Sequence, residues 1–274
     1  VDLLQKLVDF FKIHFMKIYI ISIFFPFIFL GCSKPEANSI LSYAIGSVIG
    51  QTYNLNGDSI LVQNLVNFLE IGEDGYGGGF INFENSKLMV NASSKGEVNT
   101  LTISPGNIVV LANQNGNING IFPNTNNQYF GSNINIGISS TNYGQNYTLY
   151  MPHDFTVISP TIGSIVSKSS GFTLEWTTDS NPLNDKGVLI ELTFDLEYNI
   201  LFDPNLSGDS MVKRFLVPDN GSYTISSSDL MEFPKCKGIF VSVQKGDYKN
   251  YVINSKSFPI ALINKKMLPI ELIN

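Results

Sequence analysis

Hydrophobic and polar residues alternate along much of the chain beyond position 36, with the period of two residues that is typical of half-buried β-strands. The alternation is clearest in the second half, over Phe172–Thr177, Val188–Phe194 and Ile239–Val243. Clusters of Asn, Gly, Ser and Asp separate these segments, and such residues favour turns. The pattern predicts a mainly β fold, arranged as two β-sandwich-like domains.

The first half predicts strands less clearly. Six short segments rich in Ile, Val, Leu, Phe and Tyr are predicted as strands: Phe80–Phe83, Leu88–Val90, Leu101–Ile103, Ile108–Leu111, Ile134–Ile138 and Tyr147–Tyr150. The segment Asp58–Ile71 fits a helix that starts at Ser59 and stops at Gly72, and it fits two short strands about as well. We favour the strands in that segment.

Two local predictions concern the C-terminal part of the chain. Lys245-Gly246-Asp247 is predicted as a hairpin turn that leads into a strand over Tyr248–Ile253. Ser228 is predicted to cap one short helical turn. Each prediction rests on residue types that favour turns and helix starts.

A domain boundary is predicted near Tyr150, where Pro152 and Pro160 frame an extended connector. The chain then divides into an N-terminal segment over 1–31, a β-rich domain over 36–150 and a second β-domain over 151–263. The length that remains after residues 1–31 suits one large domain or two ordinary domains.

An apolar run, Ile18–Leu30, follows the basic start Met16-Lys17 and ends at Gly31-Cys32, after which the chain turns polar. A membrane-spanning helix needs about 20 apolar residues, whereas the core of a signal peptide needs roughly 7–15. The run has the shorter length, which predicts a cleaved export signal. Its ending resembles the lipobox of bacterial lipoproteins, although Phe29 stands where Leu is usual. The resemblance implies that Cys32 is acylated and holds the mature protein on a membrane.

The alternatives for this apolar run are a plain secretory signal and a buried strand. Val1–Phe15 is expected to be upstream sequence translated from a wrong start, with an amphipathic membrane-surface helix as the alternative. The residue directly after Cys32 is Ser33 and not Asp. By analogy with other bacterial lipoproteins, this residue indicates the outer membrane, with the protein facing the periplasm or the cell surface.

Composition narrows the partners and the redox chemistry. The chain has 17 Lys and Arg against 23 Asp and Glu, a net charge of −6, which excludes the clustered basic surface that nucleic acid requires. It has two cysteines, so acylation of Cys32 leaves Cys236 without an intramolecular disulfide partner. Cys236 lies between two lysines in a predicted turn. It is either a reactive thiol or a small half-buried turn residue, and we favour the second.

Three stretches of the second domain resemble immunoglobulin-like or fibronectin type III-like modules: Ile158–Gly163, Ser170–Trp176 and Val217–Tyr223. Such modules occur in cell-envelope lipoproteins of Bacteroidota. The resemblance covers about the last 110 residues, close to the size of one such module. It implies a β-sandwich with Trp176 in the core between two sheets. The paired cysteines of antibody domains are absent, so a true antibody-type domain is not expected.

The sequence predicts no catalytic constellation, no cofactor and no metal site. His153 stands in the connector beside Asp154, where no packed element holds it as a catalytic triad requires. A zinc site of the usual His/Cys kind lacks ligands. An oxygen-rich loop is formed by Asp179, Asn181, Asn184 and Asp185. Calcium would take such ligands, but Asp and Asn are also ordinary turn formers, and we favour the turn.

The best candidate for recognition is the Asn- and Tyr-rich segment 124–150. Four tyrosines are predicted to stack on sugar rings, beside asparagines that would bind hydroxyl groups: Tyr129, Tyr143, Tyr147 and Tyr150. The alternative, which we favour, is a long Asn-rich loop followed by a strand whose tyrosines pack.

These features predict a lipid-anchored, non-catalytic cell-envelope protein that is structural or binds a glycan or an envelope protein. The alternative is a surface glycoside hydrolase, or an accessory subunit of a polysaccharide-processing system, because glycoside hydrolysis asks for two carboxylates across a cleft. The candidate carboxylates are Glu70, Glu73, Asp74, Glu84, Glu175, Glu191 and Asp195. Their spacing brings no pair together, so we expect them to keep exposed faces soluble.

Overall fold

A computed structural model describes residues 47–53, 78–83, 87–93, 98–123, 128–140, 143–253 and 256–274. The fold of these residues is mainly β, as predicted. Helix is confined there to two single turns, α1 (Leu196–Asn199) and α2 (Ser227–Leu230). The predicted lipidation site Cys32, the export segment 1–31 and Asp58–Ile71 lie outside the described residues. No helix in the described ranges is long and apolar enough to cross a membrane.

The strands are numbered here in chain order. They are β1 (Ser47–Tyr53), β2 (Gly78–Phe83), β3 (Lys87–Ser93), β4 (Thr100–Ser104), β5 (Ile108–Leu111), β6 (Asn117–Pro123), β7 (Ser132–Ser140), β8 (Tyr143–Met151), β9 (Val157–Ser159), β10 (Ile165–Ser167), β11 (Phe172–Trp176), β12 (Val188–Phe194), β13 (Met211–Val217), β14 (Ser222–Ile225), β15 (Cys236–Ile253) and β16 (Lys256–Ile273). The three segments with the clearest alternation in the second half and the six predicted in the first half all correspond to strands, so these nine predictions are confirmed.

The strands form one large sheet and two small ones. The large sheet has the order β1-β13-β12-β15-β16-β2-β3-β6, and β10 also pairs with β16, in parallel. A three-stranded sheet has the order β14-β11-β9, and a four-stranded sheet has the order β5-β4-β7-β8. Most neighbours are antiparallel, whereas β1 with β13 and β16 with β2 are parallel. The large sheet is therefore mixed.

Two hydrophobic cores lie between the large sheet and the small ones. The N-terminal core joins the four-stranded sheet to β2, β3, β6 and the start of β16, and it includes Phe83, Ile136 and Phe258. The C-terminal core joins the three-stranded sheet to β12, β13, β15 and the end of β16, and it includes Trp176 and Ile190. Met151 is the last residue of the N-terminal core before the connector, and Phe155 is the first residue of the C-terminal core. The chain therefore passes from one core to the other at the connector.

β15 and β16 form a long hairpin, and β16 contributes its start to the N-terminal core and its end to the C-terminal core. Each strand has 18 residues, and they pair from Cys236 with Leu272 to Ile253 with Lys256. Ile263, the predicted end of the second domain, lies inside β16. The two predicted domains are thus joined by continuous strands as well as by the connector, and their division stays a prediction.

The predicted hairpin turn at Lys245-Gly246-Asp247 is wrong, because these residues continue β15 without a break. Gly246 pairs with Ile263, and a Cβ atom at position 246 would overlap the carbonyl oxygen of Leu262. Glycine is needed here because the backbones of β15 and β16 approach each other closely, and glycine within a strand often marks such an approach. Gly246 therefore serves the pairing of β15 with β16 and does not form a turn.

The short helical turn predicted after position 228 is confirmed, but its cap is Ser226. The Ser226 hydroxyl accepts a hydrogen bond from the Asp229 backbone N–H (3.2 Å), and the Asp229 carboxylate accepts one from the Ser226 backbone N–H (3.0 Å). This reciprocal capping box satisfies two N–H groups, whereas a single serine satisfies one. Ser228 lies inside the turn.

Candidate functional site

The four tyrosines predicted as a sugar-stacking surface are not gathered on one exposed face. Tyr129 is fully buried in the N-terminal core, with its ring 5.3 Å from that of Phe83. Tyr150 is buried as well. Neither can stack on a sugar, so the prediction for these two is wrong. They pack because their turn and strand lie against the large sheet.

The other two tyrosines lie on β8. Tyr147 is half-buried against the N-terminal core, and its hydroxyl donates a hydrogen bond to Gln145 Oε1 (2.6 Å). Tyr143 is the first residue of β8 and pairs with Ser140. A binding role for Tyr143 and Tyr147 stays a prediction, without the platform of four rings.

Tyr150 leads instead to a polar cluster beside the connector. We call it the seam cluster and define it by Tyr150, His153, Trp176, Asp179, Asn184, Asp219 and Lys245. Its members come from the end of β8, the connector, the end of β11, the loop before β12, the turn after β13 and the middle of β15. It lies at the end of the C-terminal core that faces the connector.

Asp179 is the first of two carboxylates in the seam cluster. Its Oδ2 accepts hydrogen bonds from the Tyr150 hydroxyl (2.9 Å) and the His153 backbone N–H (2.8 Å), and the His153 Nδ1 lies 3.3 Å away. Its Oδ1 accepts one from the Asn181 backbone N–H (2.9 Å). Burial opposes ionisation, but these donors outweigh it, so the pKa of Asp179 lies below its usual value. Burial, together with the Asp179 carboxylate, raises the pKa of Tyr150 to about 12.

Asp219 is the second carboxylate of the seam cluster, and it accepts hydrogen bonds from three side chains. Its Oδ1 accepts a hydrogen bond from Trp176 Nε1 (2.6 Å). Its Oδ2 accepts bonds from Asn184 Nδ2 (2.7 Å) and Lys245 Nζ (2.7 Å). The Lys245 side chain has no exposed surface, and its ammonium also donates to the Thr177 carbonyl (2.7 Å). Burial lowers the pKa of Lys245, and the Asp219 carboxylate opposes that shift.

Local turn chemistry explains how these side chains reach one place. The Asp179 carboxylate accepts from the N–H two residues ahead, and so does the amide oxygen of Asn181, from Leu183 (3.0 Å). Such bonds fold a loop back on itself. Gly221, with a φ of +83°, turns the chain after β13 so that its carbonyl accepts the Trp176 backbone N–H (2.9 Å). The two loops therefore meet above Trp176.

The chemistry available to the seam cluster is structural. Both carboxylates are filled by donors, and Lys245 supplies inside the cluster the positive charge that a bound cation would bring. In the loop for which calcium was the alternative to a turn, Asp185 pairs with Lys186 (3.2 Å). No group of three His, Cys, Asp or Glu side chains in the described part of the chain could hold a metal ion. The cluster is suited to fixing two loops and the connector in place.

Other candidate residues have separate positions. Cys236 is buried at the start of β15, not in a turn, and burial raises the pKa of its thiol to about 11. A reactive thiolate is therefore contradicted. Glu191 accepts from Arg214 Nε (2.9 Å), Asp195 accepts from the Tyr198 N–H at the start of α1 (3.3 Å), and Glu175 lies on the exposed face of β11. These three carboxylates thus lie on different elements: β12, the start of α1 and β11.

Sequence reasoning missed Lys245 and Asp219. A signal for Lys245 exists, because it continues the inward positions of Ile239, Val241 and Val243 on β15. No protein-family model matches the chain, and no curated protein has significant sequence similarity to it. The function must therefore be inferred from the residues of this chain.

Proposed function

We propose that the chain is a lipid-anchored, non-catalytic protein of the bacterial cell envelope. The observation that carries the proposal is the apolar run Ile18–Leu30 ending at Gly31-Cys32. Export would place the remaining chain outside the inner membrane, and acylation of Cys32 would hold it on the outer membrane, facing the periplasm or the cell surface. The membrane is thus the first partner.

We further propose that both cores belong to β-sandwiches, and that the C-terminal one is immunoglobulin-like or fibronectin type III-like. In such modules the first, second and fifth strands share one sheet, and the third, sixth and seventh share the other. The grouping of β9, β11 and β14, opposite β12, β15 and β16, supports this assignment. The buried position of Trp176 on β11 supports it as well.

The role of the ectodomain is structural, or it binds a glycan or an envelope protein. The engagement of Asp179, Asp219 and Lys245 with one another and with the loops supports a non-catalytic role, because a general acid or base must be open to substrate. The continuous strands β15 and β16 support a stiff spacer between the membrane and a ligand.

Acylation is tested by metabolic labelling with a fatty acid in a bacterial host. We expect label in the wild type and in Cys236→Ala, and none in Cys32→Ala. Cys236→Ala is the matched control because it removes the other cysteine of the chain. Label retained by Cys32→Ala would overturn the lipid anchor.

Binding is tested separately with glycan arrays and with pull-downs from envelope extract. Tyr147→Ala is the informative variant, because Tyr147 is half-buried and its loss leaves the strand in place. Retention of a glycan by the wild type and not by this variant would support a binding role. Turnover of a polysaccharide by the wild type, abolished by one carboxylate substitution, would contradict the non-catalytic proposal.

A further inference from the structure

The loop between β12 and β13 presents three consecutive apolar side chains to solvent. Ile200 follows α1, and Leu201 and Phe202 come next, with 75% and 56% of their surface exposed. Single exposed apolar residues are ordinary, but a run of three on one loop exposes contiguous apolar surface. Contiguous exposed apolar surface of this kind is expected at a contact with a protein or a membrane.

The run is exposed although the loop that carries it is firmly held. The Asn199 side chain is fully buried, donates to the carbonyls of Asp195 (2.9 Å) and Gly238 (2.7 Å), and accepts from the Gly238 backbone N–H (2.9 Å). The Tyr198 ring lies 4.8 Å from that of Phe240 and 5.2 Å from that of Phe202. A buried amide and stacked rings therefore fix the backbone that displays the apolar run.

The loop lies at the end of the large sheet where the chain arrives from Cys32. β1 runs parallel to β13, and its first residue, Ser47, pairs with Met211, which is the residue that ends the loop. The 14 residues between Cys32 and Ser47 can span at most about 50 Å. A lipid on Cys32 would therefore hold Ser47, and the loop beside it, within about 50 Å of the bilayer.

The charges of the loop restrict the kind of surface that it can meet. The loop Asp195–Ser210 contains four acidic residues, Asp195, Glu197, Asp203 and Asp209, and no Lys or Arg. Anionic lipids attract basic segments, and an acidic loop would be repelled. A zwitterionic phospholipid surface fits, because apolar side chains can enter the boundary of its acyl region while the acids stay in water.

We propose that Ile200, Leu201 and Phe202 form a membrane-contact loop that docks on the zwitterionic bilayer holding the lipid of Cys32. This inference rests on the proposed lipid anchor and adds an orientation to it. The end of the large sheet with α1 faces the membrane. The opposite end, with the loop over 177–187 and the seam cluster, faces away.

The test uses the full acylated protein on vesicles of zwitterionic phospholipid with brominated acyl chains, which quench tryptophan at close range. Leu201→Trp places a reporter on the loop. Leu183→Trp is the matched control, because Leu183 is 52% exposed on the loop before β12, at the opposite end of the sheet. The chain has one native tryptophan, Trp176, which is buried and contributes the same background to both variants.

We expect strong quenching of Leu201→Trp and none of Leu183→Trp, and we expect anionic lipid in the vesicles to weaken the quenching. Equal quenching of the two variants, or none of either, would overturn the membrane-contact loop. Stronger quenching on anionic vesicles would overturn the assignment to a zwitterionic surface. Flotation with the vesicles is measured in parallel. Protein that fails to float contradicts the lipid anchor itself, whereas floating protein without quenching contradicts the loop alone.

Discussion

The two cores of this protein differ in what they bury besides apolar side chains. The N-terminal core is closed by a four-stranded sheet of two antiparallel hairpins, β4 with β5 and β7 with β8. Among the described residues, the buried charged side chains include Lys213, Arg214, Lys245, Asp179 and Asp219, and all five belong to strands or loops of the C-terminal region. The four-stranded sheet of the first region consists mostly of neighbours in sequence, whereas the second region contains ion pairs between distant segments.

The difference follows from how each region closes its loops. Short turns join most paired strands of the four-stranded sheet, so few polar groups need distant partners. The C-terminal region pairs strands that are far apart in sequence, and its loops must be held by side chains such as Asp219. A charge inside a protein is tolerated only when it is paired, so this region depends on the integrity of each pair. Charge substitutions and pH should therefore act mainly on the C-terminal region.

The largest effect is expected for Lys245→Met. It leaves the nearly buried Asp219 carboxylate without its cation, which typically costs about 3–5 kcal/mol of the free energy of unfolding. Lys266→Met is the matched control, because Lys266 pairs with Asp154 at 2.7 Å but both side chains are partly exposed, and such pairs are worth about 0–1 kcal/mol. Urea unfolding measures both losses. Equal losses would contradict the importance of the seam cluster.

The next effect is expected for Gly246→Ala, in the middle of β15. The added Cβ would overlap the backbone of Leu262, and the strands must move apart, at a cost of about 1–3 kcal/mol. Gly144→Ala on β8 is the control, since a Cβ there meets nothing, and we expect a change within about 0.5 kcal/mol. Thermal unfolding compares the variants. If Gly246→Ala were as stable as its control, the close approach of the two strands would be disproved.

A smaller and equal effect is expected from one pair of packing substitutions. Ile136→Val on β7 and Ile190→Val on β12 each remove one methylene group from a fully buried site, at a cost of about 0.5–1.5 kcal/mol. Equal losses in urea unfolding would show that the cores pack alike and differ only in charge. A much larger loss at one site would mean that the regions differ in packing as well.

The smallest effect is expected in the pH dependence of stability. The folded pKa of Asp179 lies below the ordinary value of 3.8, so its stabilisation is present above that value and is lost as the pH falls through the folded pKa. Burial raises the pKa of Asp247 above 3.8, against the hydrogen bond from the Tyr150 N–H, so Asp247 costs stability as the pH rises through its folded pKa.

Unfolding of the wild type, Asp179→Asn and Asp247→Asn between about pH 3 and pH 7 separates the two signs. The advantage of the wild type over Asp179→Asn should shrink toward low pH. Relative to Asp247→Asn, the wild type should lose stability as the pH rises. Parallel curves for all three proteins would contradict both assignments.

The alternating pattern was sufficient for strands with one buried face, and it failed where both faces are buried. The limits of β12 agree with the alternation over Val188–Phe194, and β11 ends at Trp176, one residue before the alternation that begins at Phe172 stops. β13 was missed, because six consecutive residues from Val212 to Val217 are buried and leave no alternation. β6 was missed because its Asn and Gly residues resemble a turn.

The sites depended still more on the tertiary structure. A tyrosine on a loop and a tyrosine in the core look the same in sequence, and the burial of Tyr129 and Tyr150 is decided by the sheet that lies over them. Cys236 has lysines on both sides in sequence, but desolvation in the C-terminal core raises the pKa of its thiol.

By itself, the sequence determined that the chain is mainly β and where many of its strands lie, and it predicts where an export signal ends, because these depend on residues close together in the chain. The tertiary structure alone decided which strands pair, which lysine is buried and which apolar loop is displayed. Trp176 and Asp219 are 43 residues apart, and Lys245 lies 26 residues beyond Asp219. Local periodicity specifies which face of a strand is apolar, but it does not specify the distant charge that will meet that face.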